Sequence, residues 1–99
     1  VDLDAIDFAM DPRAAEAIVT ERTVAVLLTH LGSSVADVDA FADLCKKRGL
    51  VLLEDCSQAH GAQWRGQRVG SFGVAAAFSG QSSKLLTAGE GGAAVTADQ

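Results

Sequence analysis

The sequence predicts an α/β fold in which a mostly parallel sheet is flanked by helices. Two observations lead to this prediction: continuous apolar runs occupy 23–29 and 50–53, and a helical pattern joins them. Apolar runs without alternation are typical of strands that are covered on both faces, as in parallel sheets. A strand, a helix and a second apolar strand form a βαβ unit, whose strands pair in parallel through a right-handed crossover.

The first helix and the first strand are defined by short local patterns. Asp11-Pro12 is an N-cap followed by proline at the first helical position, and small or apolar residues at 14, 15 and 17–19 continue the helix. The run TVAVLLT at 23–29 then predicts the first strand. These elements begin the alternation of helix and strand that an α/β domain requires.

The second helix is predicted between Gly32 and Gly49. Ser33 or Ser34 is expected to cap it, with Asp37 in its first turn, and apolar residues at 35, 38, 41, 42 and 45 follow helical spacing. Gly49 supplies the stop. The helix therefore connects the two apolar runs.

The second half of the chain alternates between short strands and polar loops. The run LVLL at 50–53 is the second strand and ends in Glu54-Asp55. A loop of small and polar residues at 58–73 leads to a third strand at 74–79, and a glycine-bearing loop leads to a fourth at 93–96. The prediction is one sheet of at least four strands.

Composition excludes several classes of function. The chain has 99 residues, 48% of them hydrophobic, and a net charge of −5, so it can form a core but is not expected to bind nucleic acid. No stretch reaches the roughly 20 apolar residues of a membrane span. Cys45 and Cys56 lack CxxC spacing and are expected to be free thiols in a cytoplasmic protein. The start, Val1-Asp2, resembles the middle of a longer chain.

Three chemically distinct side chains are expected at one edge of the predicted sheet. Asp55 follows the second strand, Ser79 ends the third, and Lys84 comes five residues later in the sequence. Ligands of open α/β sheets bind outside the carboxyl ends of parallel strands. A carboxylate, a hydroxyl and an amine are what an aldehyde cofactor with a ring nitrogen and a phosphate requires. His60 is interpreted as a structural histidine that bonds loop backbone, and no metal site is predicted.

Two stretches carry a family resemblance, LEDCSQAHGAQWRGQRVGSFG at 53–73 and AAAFSGQSSKLLTAGEGGAAVT at 75–96. They resemble the DegT/DnrJ/EryC1/StrS aminotransferases, which are fold-type-I pyridoxal-phosphate enzymes that mostly act on keto-sugars and keto-cyclitols. The resemblance implies that Lys84 forms the Schiff base and later moves the proton as general base and acid. It implies that Asp55 pairs with the pyridine nitrogen, that Gln58 lies against the ring and its phenolic oxygen, and that Ser79 binds the phosphate.

The resemblance also implies a larger enzyme. Residues 1–99 would be a partial pyridoxal-phosphate-binding large domain, without the N-terminal phosphate anchor and the C-terminal small domain, and inactive alone. The full-length protein would be a homodimer in the cytoplasm. Its reaction would pass an amino group from glutamate or glutamine to a keto-sugar or keto-cyclitol in amino-sugar or aminocyclitol antibiotic biosynthesis, since FSGQSSKLLTAGEGG at 78–92 looks closest to such members.

Two alternative functions stay open. One is an aminohydroxybenzoate synthase of the same family, whose lysine loop looks alike. The other is a non-catalytic relative that binds a sugar nucleotide, against which the amine of Lys84 argues. The sequence therefore predicts the cofactor site more sharply than it predicts the substrate.

Overall fold

The computed structural model describes residues 1–6, 8–32 and 34–96, which fold around one mixed sheet. The main sheet has the strand order β1-β2-β5-β6; β1–β2 and β2–β5 are parallel and β5–β6 is antiparallel. The elements, in chain order, are α1 (Pro12–Ile18), β1 (Ala25–Thr29), α2 (Val38–Arg48), β2 (Val51–Asp55), β3 (Gln63–Trp64), β4 (Gln67–Arg68), β5 (Ala75–Ser79) and β6 (Gly92–Thr96). The predicted α/β architecture, a mostly parallel sheet with flanking helices, is confirmed.

Both helices begin at an aspartate. Asp11 caps α1 as predicted, and its side chain accepts hydrogen bonds from two backbone N–H groups of the first turn. The predicted serine cap of α2 is wrong, because Asp37 is the N-cap and accepts from the N–H of Ala40 at 3.0 Å. Ser34 instead lies in a turn before the helix, and Ser33 falls outside the described residues. None of the helices in the described part of the chain could cross a bilayer.

The segment predicted as an irregular loop at 58–73 contains a small hairpin. Strands β3 and β4 pair antiparallel as a separate two-stranded sheet, and Arg65-Gly66 forms the turn between them. A two-residue X-Gly turn is a recognised hairpin connection, so the sequence did contain a pattern that indicates it. Arg65 also bonds Asp39 of α2 at 3.0 Å, which ties the exposed hairpin to the helix.

The two faces of the main sheet have different surroundings. On one face, Leu28 is buried in a core with Phe41 of α2 and Ala15 of α1, and Ala76 is buried in a second, smaller cluster. On the other face, Leu27 is 55% exposed. The expectation that the apolar strands are covered on both faces is therefore wrong for the residues described. We call the first face the packed face and the second the open face.

The carboxyl ends of the parallel strands meet at one edge of the sheet. Thr29, Asp55 and Ala77 are register partners across β1, β2 and β5, so their side chains share the open face. Ser79 lies two residues beyond Ala77 on the same face and pairs with Gly92 of β6. The loop at 80–91, which carries Lys84, begins and ends at this edge, because Ser79 and Gly92 are register partners.

Candidate functional site

Asp55 is the carboxylate at the centre of this edge. It is half-buried at the end of β2, where its Oδ1 accepts a hydrogen bond from the N–H of Ser57 at 3.0 Å. Hydrogen bonds from the side chain and backbone of Ser57 lower the pKa of Asp55, burial opposes this effect, and the nearby positive charge of Lys84 adds to the lowering. Asp55 is therefore a carboxylate at neutral pH and is suited to hold a cation.

Lys84 lies in the loop between β5 and β6 and is half-buried there. Its backbone N–H donates to the carbonyl oxygen of Gln81 at 2.9 Å, which closes a turn just before the lysine. None of the ion pairs found among the described residues uses Lys84, although its charge acts on Asp55. The positive charge of Lys84 therefore acts on the carboxylate of Asp55 without a direct ion pair between them.

Gln58 stands between the loops that follow β1 and β2. Its Oε1 accepts a hydrogen bond from the N–H of Gly32 at 3.0 Å, so the amide oxygen is directed at that loop. The amide NH₂ group is then the part of the side chain that can donate to a ligand. Gln58 also lines the cavity that contains Lys84, which brings these two predicted residues together.

Ser79 and His60 form a second, adjoining part of the site. The Oγ of Ser79 accepts from the N–H of Gln81 at 3.3 Å, and its carbonyl oxygen bonds the Nε2 of His60 at 2.8 Å. His60 therefore bonds backbone, as expected of a structural histidine. Its ring also packs against Phe78 with 5.7 Å between centroids.

Several cavities open at this edge, and His60 lines both the one that contains Lys84 and the one that contains Ser79. The first has a volume of about 310 Å³ and is lined by Ser57, Gln58, His60, Ser83, Lys84 and Leu85. The second, of about 400 Å³, contains Ser79 and is otherwise mostly apolar. The structure thus places Lys84 and Gln58 in the lining of one cavity and Ser79 in the lining of another, and Asp55 responds to the charge of Lys84.

Glu54 is the important residue near the site for which the sequence reasoning found no role. It is 1% exposed, on the packed face. Its Oε1 accepts from the N–H groups of Phe72 and Gly73, both within 2.8 Å. Its Oε2 accepts from the N–H of Gly70 at 2.7 Å and bonds the Nε2 of His30 at 3.2 Å. We call this arrangement the Glu54 knot.

The hydrogen bonds of His30 define its tautomer. Its Nδ1 lies 3.2 Å from the backbone N–H of Ala36, which can only donate, so Nδ1 accepts. The ring proton is therefore on Nε2 and is donated to Glu54. Burial alone would raise the pKa of Glu54, but the hydrogen bonds from His30 and three backbone N–H groups lower it to about 2. The knot is a single buried negative charge with a full set of donors.

The knot also contains the donor set of a metal site, and its bonding argues against that role. One ligand atom each from His30, Glu54 and Cys56 lie within 4.8 Å of one another, and all three residues are buried. Both nitrogens of His30 and both oxygens of Glu54 already hold hydrogen bonds. Burial and the neighbouring carboxylates raise the pKa of the Cys56 thiol to about 12, so it is not available as a thiolate. A metal would have to break this network.

These features define an α/β protein with an acid and an amine at the carboxyl edge of its sheet. The model of the DegT/DnrJ/EryC1/StrS aminotransferase family matches residues 1–99. The chain belongs to this family.

Comparison with individual relatives gives the same result. The chain is 54% identical over 98 residues to an L-glutamine:scyllo-inosose aminotransferase of Streptomyces griseus, covering 99% of this chain and 23% of that protein. It is 53% identical over 97 residues to an L-glutamine:2-deoxy-scyllo-inosose aminotransferase of Streptomyces lividus, covering 98% of this chain and 23% of that protein. The chain therefore spans about a quarter of the length of the curated relatives that it matches.

Solved structures resemble the chain equally well. The crystal structure of 3-amino-5-hydroxybenzoic acid synthase superimposes with a TM-score of 0.93 at 47% identity, covering 99% of this chain and 26% of that one. The structure of DesI in the presence of its TDP-sugar product gives a TM-score of 0.93 at 37% identity, and the match covers 99% of this chain and 25% of that one. The sheet, its helices and the edge loops are thus shared by relatives with different substrates.

Proposed function

We propose that this chain is the cofactor-binding part of the large domain of a pyridoxal-phosphate-dependent aminotransferase. The observation that carries the proposal is that Asp55 ends β2 at the carboxyl edge of the sheet while Lys84 lines a cavity with Ser57 and Gln58, the residues that follow it, and its charge contributes to the lowered pKa of the acid. Two of the solved relatives, a sugar aminotransferase and a sugar 3-dehydratase, are described as the PLP form and as containing hydrated PLP. Family membership over all 99 residues supports the same cofactor here.

The residues at the edge fit this cofactor in their chemistry. Pyridoxal phosphate, when bound, supplies an aldehyde and an electron-withdrawing ring. Asp55 is ionised and would hold the protonated ring nitrogen. Lys84 would bond the aldehyde carbon through Nζ and would carry the proton in the transfer step. Gln58 would donate its NH₂ group to the ring oxygen, because its Oε1 is already held by Gly32.

The phosphate would lie at the end of β5. The hydroxyl of Ser79 accepts only a long hydrogen bond, 3.3 Å, from the N–H of Gln81, so its proton is available to a phosphate oxygen. Ser79 shares the open face with Asp55, one strand away. The proposed site therefore extends along the carboxyl edge from the ring nitrogen at β2 to the phosphate at β5.

For the substrates, we propose glutamine as amino donor and a keto-cyclitol as acceptor, as in aminocyclitol antibiotic biosynthesis. The relatives at 54% and 53% identity are named for L-glutamine and for scyllo-inosose or its 2-deoxy form. The alternative is an aminohydroxybenzoate synthase, favoured by the match to such an enzyme at 47% identity. A non-catalytic sugar-nucleotide-binding relative is the third possibility, and the amine of Lys84, whose charge acts on Asp55, argues against it.

We further propose that the full-length protein is a cytoplasmic homodimer. Leu85 and Leu86, next to Lys84, are 80% and 66% exposed, which is unusual for large apolar side chains beside a ligand site. A partner subunit that covers them would also close the cavity around Lys84. Sedimentation of the full-length protein tests this part, and a monomer that is active at all concentrations would contradict it.

The cofactor proposal is tested by covalent trapping in the full-length protein that contains these residues. Pyridoxal phosphate should produce a visible absorbance band, and borohydride reduction followed by mass spectrometry should place the label on Lys84. Lys84→Ala should lose the label and lower kcat by roughly 10²–10⁴-fold, since it removes the proton-transfer group. Lys46→Ala, at the exposed end of α2, is the matched control and should label normally.

The substrate proposal needs its own experiment. Adding glutamine and then a keto-inositol should first bleach and then restore the absorbance band, as a ping-pong transfer requires. If the absorbance band changes with an aminated shikimate-type compound and does not change with the keto-inositol, the aminohydroxybenzoate synthase is favoured instead. Tight binding of a sugar nucleotide without any label on Lys84 would indicate the non-catalytic relative.

A further inference from the structure

The Glu54 knot has a second role that follows from its place on the strand. Glu54 and Asp55 are consecutive carboxylates on β2, and consecutive strand residues point to opposite faces. A shift of β2 by one residue would exchange them, turning Glu54 to the open face and Asp55 into the packed face. The two acids differ by one methylene group, so hydrophobicity does not decide between the two registers at this position.

The donors around Glu54 do distinguish the two registers. Three backbone N–H groups of the turn at 70–73 and the imidazole of His30 converge on its two oxygens. An aspartate is one carbon shorter and could not reach all four donors from the same backbone position. A buried N–H group left without an acceptor costs about 1–3 kcal/mol, so the shifted register would be strongly disfavoured.

The turn that supplies these donors is shaped to approach β2 closely. A Cβ on Gly73 would lie 2.6 Å from the carbonyl oxygen of Leu52, so a larger residue would push the turn away from Glu54. The N–H of Val74 bonds the same Leu52 oxygen at 2.9 Å, which fixes the distance between the turn and the strand. The same turn leads directly into β5, the strand that ends at Ser79.

The knot also reaches β1. His30 follows β1, and while its ring bonds Glu54, its backbone N–H donates to the carbonyl oxygen of Asp55 at 3.0 Å. The side chain and the main chain of one residue thus hold both members of the Glu54-Asp55 pair. Glu54 thus bonds both to the residue that follows β1 and to the turn that precedes β5. Through these bonds, the two strands beside β2 help to fix the backbone at Asp55.

We propose that Glu54 is a positioning residue that locks the register of β2, so that Asp55 faces the ligand on the open side of the sheet. Glu54 touches no ligand itself, and it acts through Asp55. The inference rests on the proposed cofactor function, because it assigns a consequence for pyridoxal phosphate binding. It deepens that function by naming the residue on which the geometry of the acid depends.

The test is a double-mutant cycle in the full-length protein, with Glu54→Gln, Asp55→Asn and the double variant. The readouts are the dissociation constant of pyridoxal phosphate and the ¹⁵N chemical shift of its ring nitrogen, measured on the folded fraction. Glu54→Gln should weaken cofactor binding about 10- to 100-fold and move the ring-nitrogen signal toward that of Asp55→Asn. The double variant should then bind no more weakly than Asp55→Asn alone.

Two further variants keep the test decisive if Glu54→Gln folds poorly. Glu54→Asp retains the charge and shortens the side chain, and it should show the same change in the ring-nitrogen signal in a smaller degree. Glu21→Gln, an exposed substitution, should change neither readout. A purely structural role for Glu54 would lower the melting temperature, leave the signal unchanged and give additive effects on binding, and that result would overturn the inference. Failure of the wild-type protein to bind the cofactor would instead overturn the proposed function.

Discussion

The pH dependence of stability offers a direct measurement of the Glu54 knot. The pKa of Glu54 falls from 4.5 to about 2 on folding, because the bonds from His30 and the turn outweigh the effect of burial. At about 1.4 kcal/mol per pKa unit, this lowering corresponds to about 3 kcal/mol of stabilisation near neutral pH. The folded pKa is the lower one, so the stabilisation is complete above the unfolded value of 4.5 and is lost as the pH falls through about 2.

The perturbation is Glu54→Gln, which has the same size and does not titrate. Its effect has two parts: a pH-independent penalty for placing an NH₂ group among donors, and the loss of the titrating contribution. The stability difference from wild type should therefore shrink by about 2 kcal/mol between roughly pH 7 and pH 3, where only about 1 kcal/mol of the contribution remains. The pH-dependent part is what the structure predicts.

Native-state hydrogen exchange of the full-length protein is the suitable assay, since it resolves the peptide covering β2. Opening free energies of that peptide, corrected for the intrinsic effect of pH on exchange, should converge for wild type and variant as the pH falls. Glu21→Gln, exposed and distant from the knot, should give a difference that does not depend on pH in this way. A difference between wild type and Glu54→Gln that stays constant from about pH 7 to pH 3 would refute the charged, fully bonded state of Glu54.

Three other outcomes follow from the packing. Gly73→Ala should destabilise the full-length protein by about 1–3 kcal/mol, because its Cβ would lie 2.6 Å from the carbonyl oxygen of Leu52. Gly49→Ala, which meets no neighbouring atom, should cost about 1 kcal/mol through its positive φ alone, and thermal melts compare the two variants. Cys56 should resist alkylation at about pH 8 until the protein is denatured, since it is fully buried with a thiol pKa of about 12, as mass spectrometry with and without denaturant would show. Phe41→Ala should lower the unfolding free energy by about 3–5 kcal/mol in urea, since Phe41 is fully buried in the core.

The sequence predicted the order of elements well, because that order depends on local patterns. Asp11 and Gly49 act on the backbone within one turn of the residue itself, and the start of α1 and the end of α2, which they define, were predicted correctly. The cap of α2 was wrong because serine and aspartate are equally good caps, and three candidates lie within five residues. The choice of Asp37 depends on the extended segment before it, where the N–H of Ala36 bonds His30.

The sequence predicted where the candidate site residues lie in the fold better than it predicted their hydrogen bonds. Placing Asp55 and Ser79 at one edge required only that parallel strands end together, and the structure has this arrangement. The bond between Gln58 and Gly32 spans 26 residues, and no periodicity in the sequence indicates such a contact. No periodicity indicates the hydrogen bonds of Glu54 either, because its backbone donors come from residues 16 to 19 positions later.

The contrast between Glu54 and Asp55 shows why an acidic pair in a sequence cannot be assigned without coordinates. Both follow the apolar run of β2, and either could serve as the acid that holds a cation. Glu54 takes four hydrogen bonds on the packed face and has no capacity left for a ligand. Asp55 takes its hydrogen bonds from Ser57, lies on the open face and responds to the charge of Lys84. Asp55, whose hydrogen-bonding capacity is only partly used, is therefore the carboxylate that remains available to a ligand. Glu54, whose capacity is fully used, is the neighbour that we propose keeps Asp55 in this position.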